Sequence, residues 1–322
     1  MRAPEFWNGK DVASRLALAA LAPAAWAYGA SVAWKRDHAR AWRPRAKVIC
    51  VGNLTTGGTG KTPIAMAVAR ALADRGYRAL FLSRGYGGRE RGPAIVDPAT
   101  DRARDVGDEP LLLAHAAPVV VSRDRVAGAE LADAQGADVI VMDDGHQNFE
   151  LEKDLSLVVV DAETGFGNGH VLPAGPLREP VIQGLARADA VMLVGDGTPD
   201  LQGFARPVHR ARLVPVDVLD LKGRDVVAFA GIGRPSKFFA TLIDLGARLV
   251  EALEFPDHHA YSAADIARLQ SKARGAMLVT TEKDYVRLTP TEREGVNFLP
   301  VRAGFDDAPA FSRLLDTVAP AR

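Results

Sequence analysis

Gly52-Asn-Leu-Thr-Thr-Gly-Gly-Thr-Gly-Lys-Thr62 stands directly after an apolar run, residues 46–51, and directly before a stretch of helical periodicity, residues 61–75. Strand, glycine-rich turn and helix start, in that order, make a phosphate-binding loop. Backbone N–H groups cradle phosphate oxygens, and the helix N-terminus adds a favourable dipole. Thr55, Thr56, Gly57, Gly58, Thr59, Gly60, Lys61 and Thr62 are the expected contacts. Lys61 reaches the outer phosphates of a nucleotide and Thr62 offers a hydroxyl to Mg²⁺. The strict pattern has glycine at position 55, where this chain has Thr55; the doubled Gly57-Gly58 is expected to compensate. An ordinary glycine turn explains the glycines too, but not the register of strand, Gly-x-Gly-Lys-Thr and helix together.

Outward from this loop, short apolar runs alternate with helical patterns. Residues 78–82, 119–122, 139–142, 157–160 and 190–194 read as strands, and 111–116 and 125–135 as helices. The strands carry no polar alternation, as a parallel sheet covered on both faces requires. From about residue 200, Pro199, Gly203, Pro207 and Pro215 break the pattern. A second set then follows: strands at 226–230, 249–254, 277–280 and 298–301, helices at 236–245 and 263–272, and a closing helix from about residue 308. The expected fold is α/β: a P-loop NTPase-like, mostly parallel sheet with helices on both faces, a smaller C-terminal α/β domain, and an N-terminal membrane-associated helix. The expected division is 1–45, 46–210 and 211–322, with a cleft between the last two.

Bulk properties exclude several classes. Lys plus Arg and Asp plus Glu both number 40 in the 322 residues. No global field draws the chain to nucleic acid, and no basic domain with interleaved aromatics is present. The single cysteine, Cys50, excludes an intrachain disulfide framework or a cysteine zinc site. Residues 16–34 carry no charge, approaching the roughly 20 apolar residues of a membrane span. Pro23 and Gly29 lie inside, Trp26, Tyr28, Trp34 and Trp42 surround it, and Lys35, Arg36, Arg40, Arg43 and Arg45 follow. Aromatics and cations in that arrangement suit a bilayer interface. A surface helix, a helix packed on the domain and a true span all fit this segment.

A phosphate loop needs an acidic partner at the end of another strand. Val139-Ile-Val-Met-Asp143-Asp144-Gly145 supplies it, with Asp143 or Asp144 expected at Mg²⁺. Three chemistries compete. A GTPase would need Asn-Lys-x-Asp, which is absent; Thr281-Glu-Lys283-Asp284 places Lys and Asp side by side. A membrane-docked ATPase switch of the partitioning type would need a lysine where Thr56 stands. A small-molecule or lipid kinase needs an acceptor site and a group to position the attacking hydroxyl. Candidates for that group are Asp108-Glu109 before Pro110, where Asp108 equally suits a helix cap, and Asp257-His258-His259, where a carboxylate can orient an imidazole. Arg178-Glu179 and the loop Ser83-Arg84-Gly85-Tyr86-Gly87-Gly88 are candidates for anionic groups.

Taken together, Thr56-Gly-Gly-Thr-Gly-Lys-Thr-Pro63, Ser83-Arg-Gly-Tyr-Gly87, Val106-Gly-Asp-Glu-Pro110, Asp143-Asp-Gly-His-Gln147, Leu177-Arg-Glu-Pro180, Ala230-Gly-Ile-Gly233, Asp257-His-His259 and Thr281-Glu-Lys-Asp284 resemble the tetraacyldisaccharide 4'-kinase family of lipid A biosynthesis. The blocks stand in the family's order from about residue 5 to 300. The resemblance implies transfer of the γ-phosphate of ATP, with Mg²⁺, to the 4'-hydroxyl of a tetraacylated glucosamine disaccharide 1-phosphate. It implies a lipid-linked disaccharide and a membrane surface as partners, with no nucleic acid and no required protein partner. The implied place is the cytoplasmic face of the bacterial inner membrane. It further implies catalytic Asp108 and His258, with His259 the alternative to His258; metal ligands Thr62, Asp143 and Glu109, with Asp144 possible; and substrate or nucleotide contacts at Arg84, Tyr86, Arg123, Asp144, Arg178 and Glu179.

The phosphate-loop reading predicts that Lys61→Ala removes nearly all turnover while circular dichroism and the melting transition stay those of the wild type. A folded Lys61→Ala protein with normal turnover contradicts it.

Overall fold

The computed structural model describes residues 4–7, 9, 11–216 and 219–322. After a short 3-10 turn (Glu5–Trp7) comes α1 (Val12–His38), capped by Asp11, whose carboxylate accepts from the Ser14 backbone N–H at 2.8 Å. In chain order there follow β1 (Lys47–Gly52), α2 (Lys61–Asp74), β2 (Ala79–Ser83), β3 (Ala94–Ile95), α3 (Ala103–Val106), α4 (Asp108–Leu113), β4 (Val119–Val121), α5 (Arg125–Ala134), β5 (Val139–Asp143), β6 (Leu155–Asp161), α6 (Val181–Leu185), β7 (Ala190–Val194) and β8 (Val208–Pro215). A second group comprises β9 (Asp225–Ala230), α7 (Pro235–Asp244), β10 (Arg248–Glu254), α8 (Ala263–Lys272), β11 (Met277–Thr281), α9 (Glu282–Tyr285) and β12 (Val296–Leu299), before β13 (Val301–Phe305) and α10 (Ala308–Asp316) close the chain.

Among the described residues these strands form two sheets, β13-β8-β7-β6-β1-β5-β2-β4-β3 and β10-β9-β11-β12. The first is parallel from β4 to β8, with an antiparallel strand at each edge. Strand β1 sits centrally between β5 and β6, and its interior residues are fully buried, as are β2, β4, β5, β6 and β7. Side chains such as Ile49, Phe81, Val141 and Leu157 pack with Ile64, Val68 and Leu72 of α2 on one face. In such sheets ligands bind beyond the carboxyl ends of the strands, where the winding reverses. Here that edge carries the phosphate loop after β1 and Asp143 at the end of β5.

The second sheet is parallel throughout. Its carboxyl edge faces the first: a side chain on Gly233 would approach the Gly58 backbone nitrogen to 3.2 Å. Across the same gap, Arg234 pairs with Asp161, and Lys237 Nζ lies 2.9 Å from Glu163.

The expected C-terminal block, 211–322, does not stay together. Strand β8, with its largely exposed face and interspersed His209, Arg210 and Arg212, lacks the apolar signature of its neighbours, yet extends the first sheet beside β7. The expected strand at 298–301 is two strands. Pro300 has no N–H to continue a ladder; β12 ends before it in the second sheet, and β13 begins after it in the first, antiparallel to β8. Helix α10 then returns to the core of the first sheet, where Phe311 and Leu315 are buried with Ile49 and Leu72. Phe311 stacks on Phe305 with ring centres 3.8 Å apart.

Phe311→Ala is therefore expected to destabilise the large-sheet unit by about 3–5 kcal/mol, the range for removing a buried aromatic. Chemical denaturation measures it; a loss under about 1 kcal/mol would contradict the return of α10 to this core.

Candidate active site

Helix α2 is preceded by Gly60, which sits at φ 87°, in the left-handed region that glycine tolerates, and so has no side-chain cap. The first N–H groups of a helix have no intrahelical partner, so an uncapped N-terminus is a ready anion site. Upstream, Thr55 bridges Leu177 as extended backbone; the Thr56 N–H donates to Pro176 O at 2.8 Å and the Arg178 N–H to Leu54 O at 2.8 Å. The loop's first half is thus braced by 176–178. Thr55 needs no glycine there, and Gly57, at φ 104°, makes the turn.

The two aspartates at the end of β5 have opposite environments. Asp144, at φ 56°, accepts from Arg178 Nη1 at 2.7 Å and lies 3.8 Å from Lys61 Nζ. Burial pushes its acidity down, but Lys61 and Arg178 outweigh burial and hold its pKa at about 2. Asp143 is 1% exposed, and among the described residues neither carboxylate oxygen has a hydrogen-bond partner. Burial, and then the charge of nearby Glu109, push its pKa up to about 8. A buried carboxylate with two orphaned oxygens beside further acids fits a divalent cation. Among the described residues no three His, Cys, Asp or Glu side chains gather as a self-sufficient metal site. Mg²⁺ asks for no more than one or two carboxylates, because it keeps several waters and shares phosphate oxygens. Thr62, Asp143 and Glu109 fit such an ion; Glu109 also meets Lys283 Nζ at 3.1 Å.

Facing this edge is a polar cluster from both sheets. Asp108 opens α4 and is 5% exposed. Its Oδ1 accepts from the Glu109 N–H at 2.9 Å, while Oδ2 accepts from His258 Nδ1 at 2.9 Å and from Arg287 Nε at 2.7 Å. Burial alone would raise its pKa; His258, Lys283 and Arg287 more than reverse this, so it stays ionised. His258 adopts φ 58°, a conformation costing a non-glycine residue roughly 1–2 kcal/mol. Such strain collects at functional sites. The Tyr86 ring meets the His258 imidazole edge-on with centres 5.5 Å apart.

Residues 17–319 match the family described as "Tetraacyldisaccharide-1-P 4'-kinase". The tetraacyldisaccharide 4'-kinase of Rhodospirillum rubrum is 51% identical over 326 residues, covering 98% of this chain and 97% of its own. The one from Gluconacetobacter diazotrophicus is 52% identical over 322 residues, covering 98% of each. The chain belongs to the tetraacyldisaccharide 4'-kinase family. It is accordingly a kinase. Crystalline LpxK from Aquifex aeolicus, an "apo" form in complex with ATP, superposes with a TM-score of 0.77 at 28% identity, covering 94% of this chain and 99% of that one.

Within this 4'-kinase fold the expected site residues separate. His258, not His259, meets Asp108; His259 turns to Asp265, 3.3 Å away, and packs on Phe255. Arg84 and Tyr86 are exposed on the loop after β2, and Arg123 is exposed beyond β4. Arg178 is half-buried on Asp144. Glu179 does not face the cleft: it is buried, and its oxygens accept from Arg187 Nη2 at 2.7 and 2.8 Å and from Gln147 Nε2 at 2.9 Å. It braces the Arg178 segment.

Three cations of the site, Arg125 and Arg287 with buried side chains and Lys283 half-buried, have no role legible in the sequence. Lys283 stands in the quoted Thr-Glu-Lys-Asp block, whose pattern was the available signal. Arg287, one turn further, and Arg125 carry none. Arg125 donates to Ser122 O, its Nε has no partner, and burial and then nearby Arg84 bring its pKa down to about 10.

Asp143 gives a pH-dependent prediction for the metal-free protein. Its folded pKa, about 8, is above the unfolded value of ~3.9. The group therefore favours the fold below ~4, and that contribution is lost as pH rises through about 8. Denaturation midpoints of the wild type and Asp143→Asn should diverge with rising pH, the variant becoming the more stable. Parallel midpoints across this range would contradict the unpaired burial of Asp143.

Proposed function

We propose that this kinase moves the γ-phosphate of ATP to the 4'-hydroxyl of a tetraacylated glucosamine disaccharide 1-phosphate, between the carboxyl edges of its two sheets. The carrying observation is the Asp108–His258 contact, which joins α4 of the first sheet's unit to the loop after β10, the loop whose Asp257 lies near Gly233 where Gly233 approaches the Gly58 backbone. A hydrolytic switch has no need of such an acceptor-handling pair.

In this reading the backbone of 57–62 and the Lys61 ammonium hold the β- and γ-phosphates. Thr62 and Asp143, with Glu109, would hold Mg²⁺, which when bound would offset the negative charge of the nucleotide phosphates. Asp144 keeps Lys61 and Arg178 aimed along the loop. Asp108 accepts the proton of the sugar hydroxyl, and His258 holds the carboxylate in place and shares the charge. Phosphoryl transfer through a loose transition state asks more for positioning than for a strong base, so a firmly ionised carboxylate suffices. Arg84 and Tyr86 border the acceptor side.

The membrane part of the reading rests on α1. It is 27 residues long with a mean hydropathy of 1.5 over its most apolar window, and among its described residues Ser14 and Ala25 alone are buried. Trp26 is 76% exposed. A helix so uncovered suits the acyl–headgroup boundary at the cytoplasmic face of the inner membrane, where ATP is available and the acyl chains remain in lipid.

The test is transfer of label from γ-labelled ATP, with Mg²⁺, to tetraacyldisaccharide 1-phosphate in detergent. Labelled lipid from the wild type, and a loss of about 100-fold or more in kcat for Asp108→Asn with little change in KM for ATP, is the expected outcome. ATP hydrolysis without labelled lipid would contradict the proposed acceptor.

A further inference from the structure

We infer that Arg287 is a positioning residue for phosphoryl transfer: it fixes the Asp108 carboxylate and the His258 imidazole in one orientation, and it does so from the second sheet. The inference rests on the reading of Asp108 as the group that meets the acceptor hydroxyl.

The geometry is specific. Arg287 is nearly fully buried, follows α9, and lies 179 residues from Asp108. Its Nε donates to Asp108 Oδ2 at 2.7 Å, and Nη2 lies 2.6 Å from the same oxygen. On its other side, Nη1 donates to Asp284 Oδ1 at 2.6 Å and to Gly231 O at 2.8 Å. That carbonyl also accepts from the His258 backbone N–H at 3.1 Å. One carbonyl at the end of β9 therefore fixes both the arginine and the strained histidine, and both donate to one oxygen of Asp108.

The anchor beneath is firm. Asp284 is fully buried and accepts from the Gly231 N–H at 3.1 Å, Tyr261 Oη at 2.9 Å and Thr281 Oγ1 at 2.6 Å. These partners come from the ends of β9 and β11 and the segment before α8, so the guanidinium is built into the second sheet. A planar guanidinium held on both sides has little freedom to swing.

The consequence lies on Asp108. A carboxylate has about four lone-pair directions. His258 and Arg287 occupy those of Oδ2, and the Glu109 N–H takes one of Oδ1. One direction on Oδ1 remains for an incoming hydroxyl. Without Arg287 the carboxylate is held by the His258 ring and the Glu109 N–H alone, with less to resist rotation about its Cβ–Cγ bond. Lys283 approaches Glu109 instead, and Asp257 lies on the far side of His258, 3.9 Å from Nε2, so neither replaces the arginine on Oδ2.

The experiment measures kcat and KM for the full chain and its variants in the label-transfer assay. Arg287→Gln is expected to lower kcat by about 100-fold, the lower end of what a positioned acid–base group supplies, with KM for ATP unchanged. Arg287→Lys, which keeps the charge but not the fork, should recover part of this loss, and added guanidinium should partly restore Arg287→Ala. Placed on Asp108→Asn, Arg287→Gln should cost nothing further, because the two act as a unit. A folded Arg287→Gln protein with wild-type kcat overturns the inference, as does a full multiplicative loss on the Asp108→Asn background. Should Arg287→Gln not fold, Arg287→Lys decides: wild-type kcat overturns the inference and a reduced kcat with unchanged KM supports it. If Asp108→Asn alone retains wild-type kcat, the reading of Asp108 fails instead, and that result is separable from all the others.

Discussion

A carboxylate that is 95% removed from water costs several kcal/mol unless cations or donors replace its hydration, and Asp108 is in that position. Its own sheet supplies one backbone N–H. The rest comes from the other sheet: the His258 imidazole, the Arg287 guanidinium and, at longer range, the Lys283 ammonium. The ionised state of Asp108 and the approach of the two sheets are therefore the same event. Lys283 repeats the pattern on Glu109, and Arg234 and Lys237 repeat it on Asp161 and Glu163. At these points acids from the first sheet's unit meet cations from the second; His115 against Glu282 is the reverse pairing.

On the phosphate side the logic is reversed. The neighbouring aspartates at the end of β5 are treated oppositely, one given Arg178 and Lys61, the other left buried with both oxygens unpaired among the described residues. The first fixes the lysine of the loop; the second is a demand for positive charge that no side chain meets. Together with the uncapped N-terminus of α2, this makes one strip of the cleft receptive to anions and a point beside it receptive to a cation, as an Mg²⁺–nucleotide requires. The braced backbone at Thr55–Thr56 shows why a threonine stands where a more open loop would use glycine.

Much of this is written locally in the chain. The phosphate loop, the buried strands and the Asp143-Asp144 pair are contiguous signals, and so are legible in sequence; the ordered blocks also carry the family resemblance. What is not legible depends on pairing between distant segments. Strand β8 reads as a broken, basic stretch because it lies near the sheet edge with one face exposed. The return of β13 and α10 hinges on Pro300 and on a core reached only through the fold. Glu179 looks like half of a ligand-binding Arg-Glu pair until Arg187 is seen against it, and nothing near Arg287 in sequence announces a partner 179 residues away. The choice between His258 and His259 is likewise geometric: adjacent residues point to different carboxylates.

The central claim is that the acceptor-handling group is one unit assembled from both sheets. A double-mutant cycle on kcat with Asp108→Asn and His258→Gln tests it most directly, since these side chains stand 150 residues apart and meet through the fold alone. The account predicts that the double variant loses no more than the worse single variant, with KM for ATP unchanged in all three. Losses that multiply, as for independent sites, would contradict it.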